Sequence, residues 1–187
     1  DEYSRVHLDY YARYAQRQGS RGHHDVTAAP REHSKTTGCC LVSMLHSAAY
    51  QTERYTLYIT NRDRDAIGKV GDVRRQLESN RRLLEVYGPQ VGPHWNVGDF
   101  TTLHYQRFRG ASRNTQLRGS SDDAQRPTRI LQDDVEHFLR VLSEEQRERT
   151  WDWETKDILH LGDRTTNYEV WGTILHEQAM LKRLLTT

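Results

Sequence analysis

At 187 residues the chain has the length of one domain, since typical domains span roughly 100 to 200 residues. Its 27 Lys and Arg residues nearly balance 26 Asp and Glu residues, which excludes a global field that would favour nucleic acid or an anionic membrane. No apolar stretch approaches the ~18 residues of a membrane span, and no signal-peptide pattern opens the chain, so a soluble protein with no membrane partner is expected.

The two cysteines, Cys39 and Cys40, are adjacent. Adjacent cysteines join only with strained geometry, so we expect no disulfide scaffold and take a reducing, cytoplasmic location as the default. The chain opens at Asp1 rather than Met, which leaves the compartment open. The pair is interpreted either as two small buried hydrophobes or as a reactive vicinal dithiol.

The first half of the chain is predicted to be mainly helical. Aromatic residues at steps of three and four predict a first helix over residues 3–18, residues 21–38 are typical of a loop, and a second helix should begin near Cys39. Residues 41–52 keep the helical spacing. Residues 55–60 alternate as a strand would, and we favour helix there with strand as the alternative.

Residues 70–84 carry a helical stripe and predict a third helix with an Arg-rich exposed face. Residues 88–127 are richer in Gly, Ser and Pro and predict irregular structure, with one short element around residues 100–108. Together, residues 60–127 are interpreted as a long irregular insertion.

The last third of the chain is also predicted to be helical. Residues 129–142 follow Pro127 and carry an apolar stripe with acidic residues near its start, which predicts a helix. Ser143 opens a capping box that predicts a short further turn, followed by a loop with two Trp residues. Residues 168–185 are predicted to form an amphipathic closing helix. The expected fold class is therefore all-α: a four-helix-bundle-like single domain over residues 1–187.

Common enzyme signatures are absent: the sequence has no phosphate loop, GxGxxG, GxSxG, CxxC or HExxH. His46 and His176 lie within predicted helices, and Glu53 follows His46 by two helical turns on the same face. Helix bundles build metal sites from side chains on facing helices, so a divalent metal is one interpretation. The alternatives are a half-buried His46 bonded to a polar neighbour and a solvent-facing His176.

Another candidate site is the segment between residues 104 and 118, where arginines stand beside aromatic residues. Such a segment can neutralise phosphates and stack on single-stranded bases. Because the acidic pair Asp122-Asp123 follows at once, nucleic acid is the least favoured partner.

The order of segments resembles the DinB/YfiT superfamily, four-helix bundles that often carry a metal bound by three histidines. Residues 8–17 (LDYYARYAQR) are similar to the family's opening D-Y-x-x-W-A-N-x-R. Residues 45–55 resemble its second helix, in which a ligand histidine precedes an acidic-aromatic pair. Residues 138–145 resemble its FLxxLsdE ending of the third helix, and residues 166–176 look like the entry to the fourth. The resemblance covers about half the chain.

This resemblance implies a metal-dependent transferase or hydrolase acting on a small thiol-type substrate. His46 would be a metal ligand, His176 a second ligand or catalytic acid/base, and Glu53 the partner that orients His46; the implied metal is Zn, Ni or Fe. In one register of this resemblance the family's paired ligand histidines fall on Met180 and Leu184, and in the other His176 is the first ligand and Met180 the second. Met and Leu are poor substitutes for imidazole. The rival hypothesis is therefore a non-catalytic interaction or assembly subunit, with a protein partner or a second copy of the chain as a homodimer.

Overall fold

The computed structural model of the chain describes residues 5–17, 19–115, 117 and 125–186. The strands are β1 (His24–Ala28), β2 (Tyr55–Thr60), β3 (Val91–Trp95), β4 (Asp99–Thr102), β5 (Arg107–Ser112), β6 (Arg129–Asp133) and β7 (Asn167–Gly172). They form one seven-stranded sheet in the order β1-β7-β6-β2-β5-β4-β3. The first five strands of that order are parallel, and β4 runs antiparallel to both β5 and β3.

Helices connect and cover the strands. They are α1 (Arg5–Gln16), α2 (Val42–Tyr50), α3 (Asp63–Ser79), α4 (Arg81–Tyr87), α5 (Phe138–Val141), α6 (Glu144–Trp153) and α7 (Met180–Leu184). A π-helical segment, Lys35–Leu41, leads into α2, and a second one, Glu154–Ile158, continues α6.

The helices pack on both faces of the sheet. On one face α1, α2 and α3 bury Tyr10, Met44 and Val73 against the sheet residues Phe108 and Trp171. On the other face, α6, its π-helical continuation and α7 cover a second cluster, which includes the strand residues Leu57, Ile130 and Val170. Every residue of β2, β6 and β7 is consequently buried, as is usual for parallel strands covered on both faces.

The sheet shows that the all-α prediction is wrong, and it contradicts the resemblance to the DinB/YfiT bundles. Residues 60–127, predicted as an irregular insertion, contain α3, α4 and three of the seven strands. Residues 21–38, predicted as a loop, contain β1. The chain is an α/β protein built on a mixed sheet.

The helices predicted over residues 129–142 and 168–185 are also wrong, and for the same physical reason. Residues 129–142 form β6, a turn and the short helix α5, and residues 168–185 form most of β7, a loop and α7. β6 is buried on both faces and has adjacent apolar residues, Ile130 and Leu131, rather than an alternating pattern. In both segments the apolar residues of the strand and of the residues after it also recur three or four apart, so periodicity cannot separate a strand followed by a short helix from one amphipathic helix.

Other local predictions had mixed outcomes. The first helix and the helical stripe of the third are confirmed as α1 and as α3 with α4, which are separated at Asn80. Ser143 caps α6 as predicted, its hydroxyl accepting a hydrogen bond from the Gln146 backbone N–H at 3.4 Å. Residues 55–60 are strand rather than the favoured helix, and Trp151 and Trp153 lie on α6 rather than in a loop.

Among the residues with described structure, no helix has both the length and the apolar character needed to cross a membrane.

Candidate functional site at the carboxyl edge of the sheet

The five parallel strands end at one edge of the sheet, which we call the carboxyl edge; the opposite edge is the amino edge. From β2 the chain continues through α3 to β5 on one side, whereas β6 lies on the other side of β2. The helices that follow β2 and β6, α3 and α6, pack on opposite faces. In open α/β sheets, ligands bind outside the carboxyl ends of two strands that are related in this way, here β2 and β6.

Asp133 occupies that position as the last residue of β6, opposite Thr60 of β2. It is only 2% exposed, and its Oδ2 accepts hydrogen bonds from Thr36 Oγ1 at 2.6 Å and Tyr58 OH at 2.8 Å. Its Oδ1 is buried without a hydrogen-bond partner among the described residues. Burial raises the pKa of this carboxyl group, although the two hydroxyl donors oppose the rise.

Asp134 turns the chain away from the sheet in a left-handed conformation, with φ of 43°. Its backbone N–H donates to Trp171 O at 2.9 Å, and its Oδ1 accepts from the Thr173 backbone N–H at 3.2 Å. Such a conformation is uncommon for residues other than glycine, and strained residues of this kind cluster at functional sites. The strain therefore marks Asp134 as a functional candidate.

A cavity of about 430 Å³ lies beside Asp134 and is called here the carboxyl-edge cavity. It is lined by residues 31–37, Asp134, Glu136, Thr173 and Leu175. Its volume falls within the range of roughly 300 to 1,000 Å³ that is usual for small-molecule sites. The cavity is large enough for a substrate of ordinary metabolite size.

The charged groups of this cavity leave one negative charge in excess. The lining has three carboxylates, Glu32, Asp134 and Glu136, and two cations, Arg31 and Lys35. With His33 neutral, the net charge of the lining is −1. The cavity is therefore matched to a cation, or to an anionic ligand that brings a cation with it.

Lys35 is the buried cation of the cavity, 5% exposed. Its Nζ donates to Ala29 O at 3.1 Å, Pro30 O at 3.0 Å and Thr173 Oγ1 at 3.0 Å. These acceptors are neutral oxygens, so the three donors are satisfied while the ammonium charge has no hydrogen-bonded carboxylate. The charge remains available to attract an anionic group of a ligand.

The two other carboxylates near β6 have structural roles. Glu136 accepts backbone hydrogen bonds from Met180 at 2.9 Å and Leu181 at 3.1 Å, so it caps the start of α7. Asp63, at the start of α3, accepts hydrogen bonds from Ser112 N and Thr115 Oγ1, which lower its pKa. Of the two lining carboxylates that follow β6, Asp134 is therefore the better placed to contact a ligand; Glu32, the third lining carboxylate, lies on the segment after β1.

Within the described ranges, no group of three or more His, Cys, Asp or Glu side chains could hold a metal ion. A self-sufficient metal centre of the structural zinc type is thus not found there. Magnesium-type ions need less from the protein, because they are usually held by one or two carboxylates, water and substrate phosphates. Asp134 meets that smaller requirement.

The three residues predicted from the sequence are not brought together. His46 lies on α2, where the hydroxyl of Tyr14 is 3.2 Å from its Nδ1, and Glu53 precedes β2 at the amino edge. His176 follows β7 at the carboxyl edge, its Nδ1 accepting from Gln178 N at 3.0 Å. The six residues of β7 separate these edges by roughly 20 Å. One metal cannot contact His46 and His176 together.

The surroundings of His46 match its alternative interpretation, a half-buried histidine bonded to a polar neighbour. Burial and then the nearby Arg129 lower the pKa of its imidazole. Glu53 is held by an ion pair with Arg21 at 2.5 Å and by Asn167 Nδ2 at 2.8 Å.

Sequence reasoning missed Asp133 and Asp134 as site residues. The available signal was the acidic pair that follows the apolar residues Ile130 and Leu131 after one polar residue, Gln132, at the end of a short apolar segment. Because residues 129–142 were interpreted as a helix, the pair was assigned to its first turn, where acidic residues are also common.

The cysteine pair and the Arg/aromatic segment, the other candidates from the sequence, include residues that lie in the core or in an ion pair. Cys39 and Cys40 are free, buried thiols, and burial raises the pKa of Cys39 to about 12, which disfavours the reactive thiolate. In the Arg/aromatic segment, Phe108 is buried in the core and Arg107 pairs with Asp99 at 2.6 Å. Residues 116 and 118 of that segment lie outside the described residues.

No protein-family model matches the sequence, and no curated protein matches it significantly.

Proposed function

We propose that the protein is a divalent-cation-dependent transferase or hydrolase that acts on a small phosphorylated molecule in the carboxyl-edge cavity. The observation that carries this proposal is the pair Asp133-Asp134 at the carboxyl ends of β2 and β6, beside a cavity of about 430 Å³. The expectation of a thiol-type substrate came from the contradicted resemblance and is replaced.

The charges of the cavity support a cation together with an anionic substrate. One divalent ion would change the lining charge from −1 to +1, so the cavity could then hold a phosphate group. Asp134 would contact the ion and Arg31 would donate to the phosphate oxygens, while the buried Lys35 would add positive charge without donating to them. When bound, such an ion neutralises the charge that develops on a departing phosphate.

Asp133 is a positioning residue in this proposal. Its carboxylate accepts one hydrogen bond from the hydroxyl of Thr36, which lines the cavity, and another from the hydroxyl of Tyr58, which lies in the core. It thereby fixes the π-helical segment that carries Thr36 and Lys35 against the end of β6.

Calorimetric titration with inorganic pyrophosphate tests the proposal. We expect binding in the presence of Mn²⁺ and, in EDTA, an affinity lower by at least roughly tenfold, or about 1.4 kcal/mol. Asp134→Asn should remove this dependence on the ion, because the amide has no charge. The variant should keep its fold, since Asn tolerates positive φ and its carbonyl can still accept from Thr173.

Asp152→Asn is the matched control, because Asp152 is exposed on α6 and pairs only at the surface with Lys156. It should leave pyrophosphate binding unchanged. Binding that needs no divalent ion, or that persists unaltered in Asp134→Asn, would overturn the proposal.

A further inference from the structure

A second cavity, of about 250 Å³, lies at the amino edge and is called here the amino-edge cavity. Three arginines line it, Arg17, Arg21 and Arg129, together with two carboxylates, Glu53 and Glu169. With His23 neutral, the lining carries a net charge of +1, opposite in sign to that of the carboxyl-edge cavity. Burial favours the neutral form of His23 because it lowers the pKa of that imidazole.

The inner wall of this cavity is closed and neutral. Arg129 Nε lies 2.8 Å from Glu169 Oε1, and Arg129 Nη2 lies 2.9 Å from Oε2, so the pair is bidentate and almost fully buried. The same guanidinium also donates to Ser43 Oγ at 2.9 Å. Burial alone would lower the pKa of Arg129, but Glu169 and the neighbouring tyrosines raise it overall, so the wall stays ionised and fixed.

The excess positive charge lies at the rim. Arg21 is paired with Glu53 at 2.5 Å. Arg17 shares its carboxylate partner, Asp25, with Arg13, at 2.6 Å and 2.5 Å. Among the described residues, two arginines share this one carboxylate, which leaves one positive charge in excess, and Arg17 is the member of that group that lines the cavity.

The size and chemistry of the cavity restrict its ligand. At ~30 Å³ for each water, the cavity holds the equivalent of roughly eight waters. Guanidinium groups recognise carboxylate and phosphate oxygens through paired N–H donors.

We propose that the amino-edge cavity is a second binding site, which takes a small molecule through one singly charged carboxylate or phosphate group held by Arg17 and Arg21. This site is separate from the carboxyl-edge cavity, because the five residues of β6 place the two edges about 17 Å apart. Binding at this site requires no divalent cation and no contact with Asp134, so it can be tested independently of the proposed activity.

An NMR titration that follows the arginine Nε–Hε resonances tests this site. The probes are sodium lactate and sodium phosphate in EDTA, with sodium chloride at the same ionic strength as the reference. We expect saturable shifts of the Arg17 and Arg21 resonances with one or both probes and none with chloride. Saturation by lactate alone identifies a carboxylate ligand, and saturation by phosphate alone identifies a phosphorylated one.

Arg17→Gln should lower the affinity for the probe that saturates by at least roughly tenfold. The fold should tolerate this change, because Asp25 keeps its ion pair with Arg13. Arg81→Gln, at a 91%-exposed side chain on α4, is the matched control and should bind as the unaltered protein does. Shifts that follow ionic strength without saturating with either probe, or equal binding by Arg17→Gln, would overturn the proposal.

Discussion

Glu154 is the residue whose charge conflicts most with its surroundings. It is 1% exposed, on the π-helical continuation of α6, and Gln132 Nε2 lies 3.0 Å from each of its carboxylate oxygens. Burial raises its pKa to about 7; the hydrogen bond from Gln132 opposes that rise and the negative charge of Glu136 adds to it. Gln132 Oε1 is buried with no partner in the described part of the chain.

Stability should consequently fall as the pH rises through this window. Between pH 4.5, the ordinary pKa of the group, and about 7, the folded state keeps a proton that the unfolded state releases. Folding is therefore favoured at the acidic end and disfavoured at the basic end. Glu154→Gln removes the charge and adds an amide that can pair with Gln132. We expect the variant to gain up to about 3 kcal/mol over the unaltered protein at pH 8, and little at pH 4.5.

Urea unfolding of both proteins between pH 4.5 and 8 measures the difference. Glu145→Gln, at an exposed position on α6, should show no such pH-dependent gain. A gain for Glu154→Gln that is the same at every pH would contradict a buried, titrating carboxyl group.

Among the elements, α3 docks closely on β5. A Cβ atom at Gly110 of β5 would lie 2.7 Å from the backbone oxygen of Ala66 on α3. Glycine is thus required for this close approach, and Gly110→Ala must displace the helix. We expect a loss of about 1 to 3 kcal/mol in the free energy of unfolding, measured in urea.

Gly68→Ala is the matched control for the helix itself. A Cβ at this position of α3 meets no atom within 4 Å, so alanine should stabilise the protein by about 0.5 to 1 kcal/mol through helix propensity. Stability unaltered by Gly110→Ala would show that α3 is not packed on β5 as described.

The elements that could be predicted are those whose pattern belongs to one segment alone. The stripe of α3 and the capping box at Ser143 are local signals, and both were correct. Strands β2, β6 and β7 depend on neighbours distant in the sequence. The residues of β2 do alternate, but the helical spacing of the residues before them favoured a helix; β6 shows no alternation, and that of β7 is limited to residues 167–170. The site residues Asp133 and Asp134 follow from the position of β6 in the sheet, so they could not be assigned while that segment was taken for a helix.

At the scale of the whole molecule, the sheet separates two cavities of opposite charge. Arg129 begins β6 beside the amino-edge cavity, and Asp133 ends it beside the carboxyl-edge cavity. The lining charges of +1 and −1 should direct cations and anions to different edges. We therefore expect the divalent ion at the carboxyl edge rather than at the amino edge.

Paramagnetic broadening by Mn²⁺ in the amide NMR spectrum tests that claim most directly, because the effect falls steeply with distance from the ion. With Mn²⁺ and pyrophosphate present, broadening should centre on the amides of Asp134, Thr36 and Thr173 and disappear in Asp134→Asn. Broadening centred on Glu53 and Glu169 at the amino edge, or spread evenly over exposed acidic residues, would contradict it.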